Sequence, residues 1–302
     1  MSRSRVTVRV PAKVNLHLSV GPTRKDGFHE LVTVYQALSL YDEVTVEPAE
    51  QLSMRVTGEG AEQLPVDDDN LAVRAVRAVG ALIGRTPDVA ITVHKGIPVA
   101  GGLAGGSADA AAALVAADAL WGGGLDRVTL EGLAAGVGSD VAFLLYGGSA
   151  LGTGRGEAIS PVLATGDYHW VLAVADAGLS TPTVYGELDR IRDAGPTPRT
   201  GAPDGVLAAL RAGDVVALGT ALANDLQVAT LRLRPQLRQV LDAGRELGAA
   251  GTVVSGSGPT VALLARSADD SVRIASSLSG LGVCRTVRRA HGPVPGARII
   301  DD

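Results

Sequence analysis

Residues 98–107, Pro98-Val-Ala-Gly-Gly-Leu-Ala-Gly-Gly-Ser107, put five small residues (Gly101, Gly102, Ala104, Gly105 and Gly106) directly before an alanine-rich run. An alternating apolar segment, Val89-Ala-Ile-Thr-Val93, precedes them. Strand, glycine loop and helix start in that order suit an anion. A backbone without Cβ atoms turns tightly and approaches phosphate oxygens closely. The first helical N–H groups have no intrahelical partner, and the helix dipole favours negative charge there. Ser107 can either cap the helix or touch a phosphate oxygen. The segment is not a Walker loop, because no lysine separates Gly106 from Ser107, and Gly102-Leu103-Ala104 breaks the dinucleotide spacing. Alone, such a loop also fits a flexible connection before a buried helix.

Three other places could do chemistry. Lys13, Asn15 and His17 alternate with Val14, Leu16 and Leu18. Period two sets the polar three on one strand face, which is either wet or lines a site. Asp140, within Gly138-Ser-Asp-Val141, is expected in the first turn of a helix capped by Ser139. Its carboxylate there either complements the helix dipole or accepts a proton. Asn70 ends Asp67-Asp-Asp-Asn70 and is expected to cap a helix whose apolar residues recur at Leu71, Ala75, Val79 and Leu82.

The elements that must hold these residues follow from pattern. Strands are expected at 6–10, at 14–20 beyond an interruption by Pro11, at 31–40, 44–46 and 52–56. Asp26-Gly27 marks a turn. Helices are expected at 108–120 and ending near 137, then a hairpin through 152–156. After Thr165-Gly-Asp167 come a strand at 170–175, a helix opened by Pro182, helices through 205–247, and a strand, tight loop and strand over 252–264. A helix near 271–278 and two short strands close the chain. Locally paired strands with grouped helices indicate an α+β class. A length of 302 residues exceeds one ordinary core, so two domains are expected, 1–165 and 166–302. With only 3% aromatics among 46% apolar residues, the cores must be built from Val, Leu, Ala and Ile. A net charge of −5 argues against general nucleic-acid binding. The single Cys284 cannot form an internal disulfide, and the five histidines show no metal-ligand spacing. No signal-peptide pattern and no run near the ~18 apolar residues of a membrane helix appears, so a cytoplasmic protein is expected.

Three motifs stand in a familiar order: Pro11-Ala-Lys-Val-Asn-Leu16, Pro98-x-x-x-Gly-Leu-x-Gly-Gly-Ser107 and Ser255-Gly-Ser-Gly-Pro-Thr260. Together, with Asp140 between the last two, they resemble the GHMP small-molecule kinases over nearly the whole chain. Pro11 to Leu18, Asp26-Gly-Phe-His29 and Gly138-Ser-Asp-Val141 are similar to the branch that phosphorylates a cytidine-diphosphate-linked polyol with ATP and Mg²⁺ on the non-mevalonate isoprenoid route. The resemblance implies an N-terminal ribosomal-protein-S5-domain-2-like domain, a C-terminal ferredoxin-like domain and a site between them. It implies Lys13 and Asp140 as the catalytic pair, and Asn15 and Thr181 beside the polyol. Phe28 would stack on cytosine and His29 would bond its edge. ATP would lie along Asn70, Pro98, Val99, Ala100, Gly101, Gly102, Leu103, Ala104, Gly105, Gly106 and Ser107, with Gly256, Ser257 and Gly258 as a wall. A monomer or weak homodimer acting on a small molecule is expected. Three departures are visible. Ala100 and Ala104 stand where close relatives usually carry glycine, Phe28 replaces a tyrosine, and no glutamate for Mg²⁺ is evident, leaving Ser107 and Asp140 as candidates. The rivals are a GHMP kinase for another alcohol, such as homoserine or mevalonate, and a non-catalytic nucleotide or sugar sensor. The Asp26-Gly-Phe-His29 element speaks against the first, because those alcohols carry no pyrimidine, and Lys13 with Asp140 against the second.

Overall fold

The computed structural model describes residues 4–99 and 101–300, so Ala100 lies outside the described residues. The chain opens with two long strands, β1 (Val6–Thr23) and β2 (His29–Pro48), joined by the expected Asp26-Gly27 turn. Gly27 takes φ +82° and donates to the Arg24 carbonyl. Pro11 does not interrupt β1. It faces Tyr41 next to a register shift, where the ladder is already irregular and a missing N–H breaks nothing. There follow β3 (Ser53–Gly58), α1 (Leu71–Ile83), β4 (Val89–Lys95), α2 (Gly105–Trp121), α3 (Arg127–Val137), α4 (Val141–Tyr146), β5 (Ser149–Thr153) and β6 (Ala158–Pro161).

The second part runs through β7 (Tyr168–Val174), α5 (Thr181–Asp193), α6 (Asp204–Ala212), α7 (Val215–Ala221), β8 (Ala223–Asn224), α8 (Gln227–Leu233) and α9 (Leu237–Glu246). It closes with β9 (Gly251–Val254), β10 (Val261–Ala265), α10 (Ala268–Leu281), β11 (Thr286–Gly292) and β12 (Arg298–Ile300). The expected helical stretch 205–247 is cut by β8, a two-residue strand too short for any periodicity to show.

Two sheets organise these elements. The first runs β12-β1-β2-β4-β3, with β5 on β2, β6 on β5 and β8 beside β1. The second is antiparallel, ordered β11-β7-β10-β9, which is the fourth, first, third and second of its strands, as in ferredoxin-like folds. We propose 165/166 as the boundary between the two units, with β8 and β12 returning to the first sheet. Trp170 of β7 is buried and its indole N–H donates to Gln36 Oε1 of β2 at 2.9 Å, so the sheets share one continuous core. α2 lies against β1, β2, α1 and α4 and is buried on all sides from Ala108 to Leu114. Its alanines let those neighbours approach closely, as a helix apolar all round requires.

Candidate active site

β1 delivers the first polar pair. Lys13 and Asn15 are nearly buried, 4% and 3% exposed, yet both line a cavity. Lys13 Nζ donates to Asn15 Oδ1 at 2.7 Å and to the Gly102 carbonyl at 3.1 Å, and lies 3.6 Å from Asp140 Oδ2. Asn15 Nδ2 donates in turn to Thr33 Oγ1 at 2.8 Å. His17 does not join them. A register shift between Asn15 and His17 breaks the period-two face, and His17 is buried away from the cavity with Nε2 unpartnered. Burial lowers its pKa, against the pull of Asp225 and a Gly201 backbone hydrogen bond.

Asp140 occupies the N-cap position of α4, so Ser139 is not the cap, and its carboxylate makes no cap bond. It is free to face Lys13 instead. Its second oxygen accepts from Tyr35 Oη at 3.0 Å. Tyr35 is buried, stacked on Phe143 at 4.7 Å between centroids. Burial first, and the Asp140 charge second, push its hydroxyl well above the ordinary tyrosine pKa. Tyr35 therefore remains a proton-bearing donor that holds one carboxylate oxygen and leaves the other toward Lys13.

The glycine loop bends around Gly102, whose φ is +75° and where a Cβ would stand 2.2 Å from the Ser255 carbonyl. Ser255 Oγ donates to the Gly102 carbonyl at 3.0 Å, and Thr260 N to the Gly101 carbonyl at 3.2 Å. The loop and the third motif are thus locked together. α2 starts at Gly105, three residues before the expected 108. Ser107 accordingly lies inside the first turn and is not the cap. The first intrahelical bond comes from Ala108 N, so the N–H groups of Gly105, Gly106 and Ser107 precede it. These three residues, with Gly101, Gly102, Ala104, Gly256, Ser257 and Gly258, line the cavity of Lys13. Ala104 has φ +61°, the one non-glycine in that region among the described residues.

A second cavity opens on the far side of Asp140, lined by Phe28, His29, Ser139, Arg155 and Asp189 among others. Phe28 is 51% exposed at the hairpin tip, so it is not a core residue. His29 Nε2 lies 2.9 Å from Asp189 Oδ1, and its ring is 5.0 Å from that of Tyr185. Ser107, Asp140, Thr181 and Tyr185 line both cavities. Thr181 Oγ1 stands 3.0 Å from Ser257 Oγ. Burial, with Asp140 adding to it, raises the Tyr185 hydroxyl pKa.

Residues 70–148 match the family model of the GHMP kinases N terminal domain, and residues 206–283 that of the GHMP kinases C terminal. A 4-diphosphocytidyl-2-C-methyl-D-erythritol kinase of Salinispora tropica is 59% identical over 97% of this chain and 94% of its own. Its namesake in Rhodococcus jostii is 58% identical over 98% and 96%. The chain belongs to this family of GHMP kinases. A crystal structure of 4-(cytidine 5'-diphospho)-2C-methyl-D-erythritol kinase, 35% identical, matches with a TM-score of 0.75 over 94% of this chain and 98% of that one. Homoserine kinase from Cytophaga hutchinsonii, 20% identical with a TM-score of 0.78 over 99% and 98%, shares the fold.

Within this kinase the described residues of the expected site are gathered with four exceptions, Ala100 lying outside the described residues. Asn70 caps α1: its Oδ1 accepts from Ala72 N at 2.9 Å and its Nδ2 donates to the Pro65 carbonyl at 2.8 Å. Both polar groups of its side chain are engaged there, and it lines neither cavity. Pro98 and Leu103 are buried in packing, and Val99 is also absent from both linings. Tyr35, Tyr185, Arg155 and Asp189 went unread. Only Tyr35 left a signal, a hydroxyl on the strand that must pair with Lys13-Val-Asn15. The others reach the site from loops and helices distant in sequence.

Proposed function

We propose that this kinase transfers the γ-phosphoryl group of ATP to the 2-hydroxyl of 4-diphosphocytidyl-2-C-methyl-D-erythritol. The observation that carries the reading is the position of Asp140, 3.6 Å from Lys13, where a cavity rimmed by helix N–H groups meets one walled by Phe28 and His29. The names and near-complete coverage of the relatives support the substrate. The glycine loop holds the triphosphate, while Phe28 and His29 hold the cytosine and bring the polyol to Asp140. The acceptor oxygen attacks the γ-phosphorus, the bond to the β–γ bridging oxygen breaks, and ADP departs. Asp140 takes the hydroxyl proton on the oxygen that Tyr35 leaves open. Lys13 steadies Asp140 and offsets charge on the transferring group. Asn15, anchored through Thr33, orients Lys13.

Among the described residues no group of three or more His, Cys, Asp or Glu could hold a metal. Ser107 and Asp140 nonetheless fit Mg²⁺, which takes few protein oxygens and several from phosphates. When bound it neutralises phosphate charge. We also propose a cytoplasmic monomer or weak homodimer. One chain lines both cavities, and no described helix is long and apolar enough to cross a membrane. The test is an ADP-coupled assay over a panel of alcohols. Turnover of the cytidine-diphosphate polyol is expected, and turnover of homoserine or mevalonate in its place would overturn the reading.

A further inference from the structure

The acceptor cavity carries two carboxylates, Asp140 and Asp189, and among the described residues Arg155 is its only lysine or arginine. The substrate proposed above, on which this inference rests, holds two phosphates between its base and its polyol. With the base at Phe28 and His29 and the polyol at Asp140, the diphosphate must cross the space between them. Unbalanced, it would bring negative charge toward two carboxylates.

Arg155 lines the same cavity as both ends. Its guanidinium carbon lies 5.0 Å from the Phe28 ring centroid. Its neighbour Gly156 accepts a hydrogen bond from Tyr35 Oη at 3.4 Å, the same hydroxyl that donates to Asp140 at 3.0 Å. The side chain is loosely held. Nε reaches Glu157 Oε1 at 3.4 Å and Nη2 the Ala135 carbonyl at 3.3 Å. Glu157 also accepts the Arg155 backbone N–H on Oε2 at 2.5 Å, so both of its oxygens face Arg155 and the long ion pair at Nε is one that a phosphate would share. Of the five N–H donors of a guanidinium, three therefore have no partner among the described residues. The planar fork matches phosphate oxygens two at a time.

We propose that Arg155 binds the diphosphate of the acceptor substrate, so that this side of the enzyme recognises a nucleoside diphosphate and not merely a pyrimidine. The contact is made by a residue at a turn between β5 and β6, distant in sequence from the motifs that hold the base.

The experiment compares wild type with Arg155→Gln and Arg155→Lys. It measures KM for both substrates and the inhibition constants of CDP, CMP and cytidine against the polyol, with Tm as a check on folding. Arg155→Gln should raise KM for the cytidine-diphosphate polyol about tenfold or more, as loss of a charged hydrogen bond does, and leave KM for ATP within about twofold. The preference of wild type for CDP over cytidine should collapse in Arg155→Gln and partly return in Arg155→Lys. If CDP, CMP and cytidine weaken equally, Arg155 acts only by supporting Phe28, and the proposal is wrong. Unchanged constants overturn it too. Should wild type neither turn over the polyol nor bind CDP, the functional reading itself fails. Turnover by wild type with an indifferent Arg155→Gln sinks only the role of Arg155.

Discussion

Two lysine–aspartate clusters flank the glycine loop, and the contrast between them separates chemistry from construction. Lys13 and Asp140 sit 3.6 Å apart, with the Asp140 side chain 28% exposed to a cavity. Lys95, Asp42 and Asp109 are sealed, each 3% exposed or less. Lys95 Nζ donates to Asp42 Oδ2 and, at 2.7 Å, to Asp109 Oδ2. Asp42 Oδ1 also accepts from Gly96 N at 2.7 Å and Ile97 N at 2.9 Å. Burial favours the neutral amine of Lys95, but Asp109 and Asp42 together outweigh it and raise its pKa. The sealed cluster joins β2, β4 and the first turns of α2, so it fixes the helix whose N-terminus lines the cavity of Lys13. The open cluster can take up a proton and a substrate oxygen; the sealed one meets neither.

That division is broken first at Lys95. Lys95→Met keeps most of the side-chain volume and leaves two buried carboxyl groups without their cation. Removing one partner of such a group costs about 3–5 kcal/mol, which urea unfolding should register, while kcat of the folded fraction stays within about tenfold of wild type. A stable Lys95→Met with kcat abolished would move Lys95 into the catalytic machinery and erase the distinction. The mirror test is at the open cluster. Asp140→Asn and Lys13→Ala should each lower kcat by at least about 10²-fold while unfolding within about 1 kcal/mol of wild type. Wild-type turnover in either would end the proposed catalytic role.

The same Asp→Asn change at the sealed cluster sharpens the comparison. Burial first, and Asp42 further, raise the pKa of Asp109 well above the ordinary value, with Lys95 opposing. Its Oδ1 has no partner. The folded state therefore binds more proton than the unfolded chain just above the unfolded value of pH ~4, so this residue makes stability fall as pH rises through that window. Asp109→Asn resembles the protonated carboxyl and cannot titrate. It should flatten that pH slope. Denaturant midpoints from pH 4 to 8 would read it out. A steeper slope in Asp109→Asn would mean that Asp109 is held ionised.

How far the sequence revealed this site depends on whether a residue acts through its own strand, turn or loop or through a distant partner. Gly102 was legible because a turn at positive φ is a local need. Lys13 and Asn15 were legible because strand period two is local; His17 failed because a β-bulge resets that period without any composition mark. Asn70 shows the opposite hazard: a residue ascribed by resemblance to ATP has its side-chain groups engaged in the cap that its position alone predicted. Asp42 and Lys95 lie 53 positions apart and meet only through the pairing of β2 with β4. Nothing in either segment announces that contact. The fold class was easier, since alternating and helical periods mark most elements, whereas β8 has too few residues to show one.

The smallest effect is expected at Ala104, which lies between the clusters and was singled out by its departure from glycine. Its carbonyl accepts the first bond of α2 from Ala108 N at 2.8 Å, and the adjacent Leu103 carbonyl accepts from Lys13 N at 3.2 Å. Its φ of +61° therefore sets the angle between the strand of the open cluster and the helix of the sealed one. A left-handed conformation costs an L-residue about 1–2 kcal/mol, and glycine returns about 0.4–1 kcal/mol of that through a freer unfolded chain. Ala104→Gly should thus stabilise by only about 0.5 kcal/mol, with KM for ATP unchanged. Ala104→Val tests the same angle harder, because a β-branched residue is a genuine outlier at positive φ. It should destabilise relative to Ala104 by more than Ala104→Gly stabilises, and raise KM for ATP by tilting the N–H groups of Gly105 and Gly106. Urea unfolding of the Gly, Ala and Val series gives the order. If Val equals Ala in both stability and KM, the left-handed turn is not what couples the two clusters, and the glycine loop takes its shape from Ser255 and Thr260 alone.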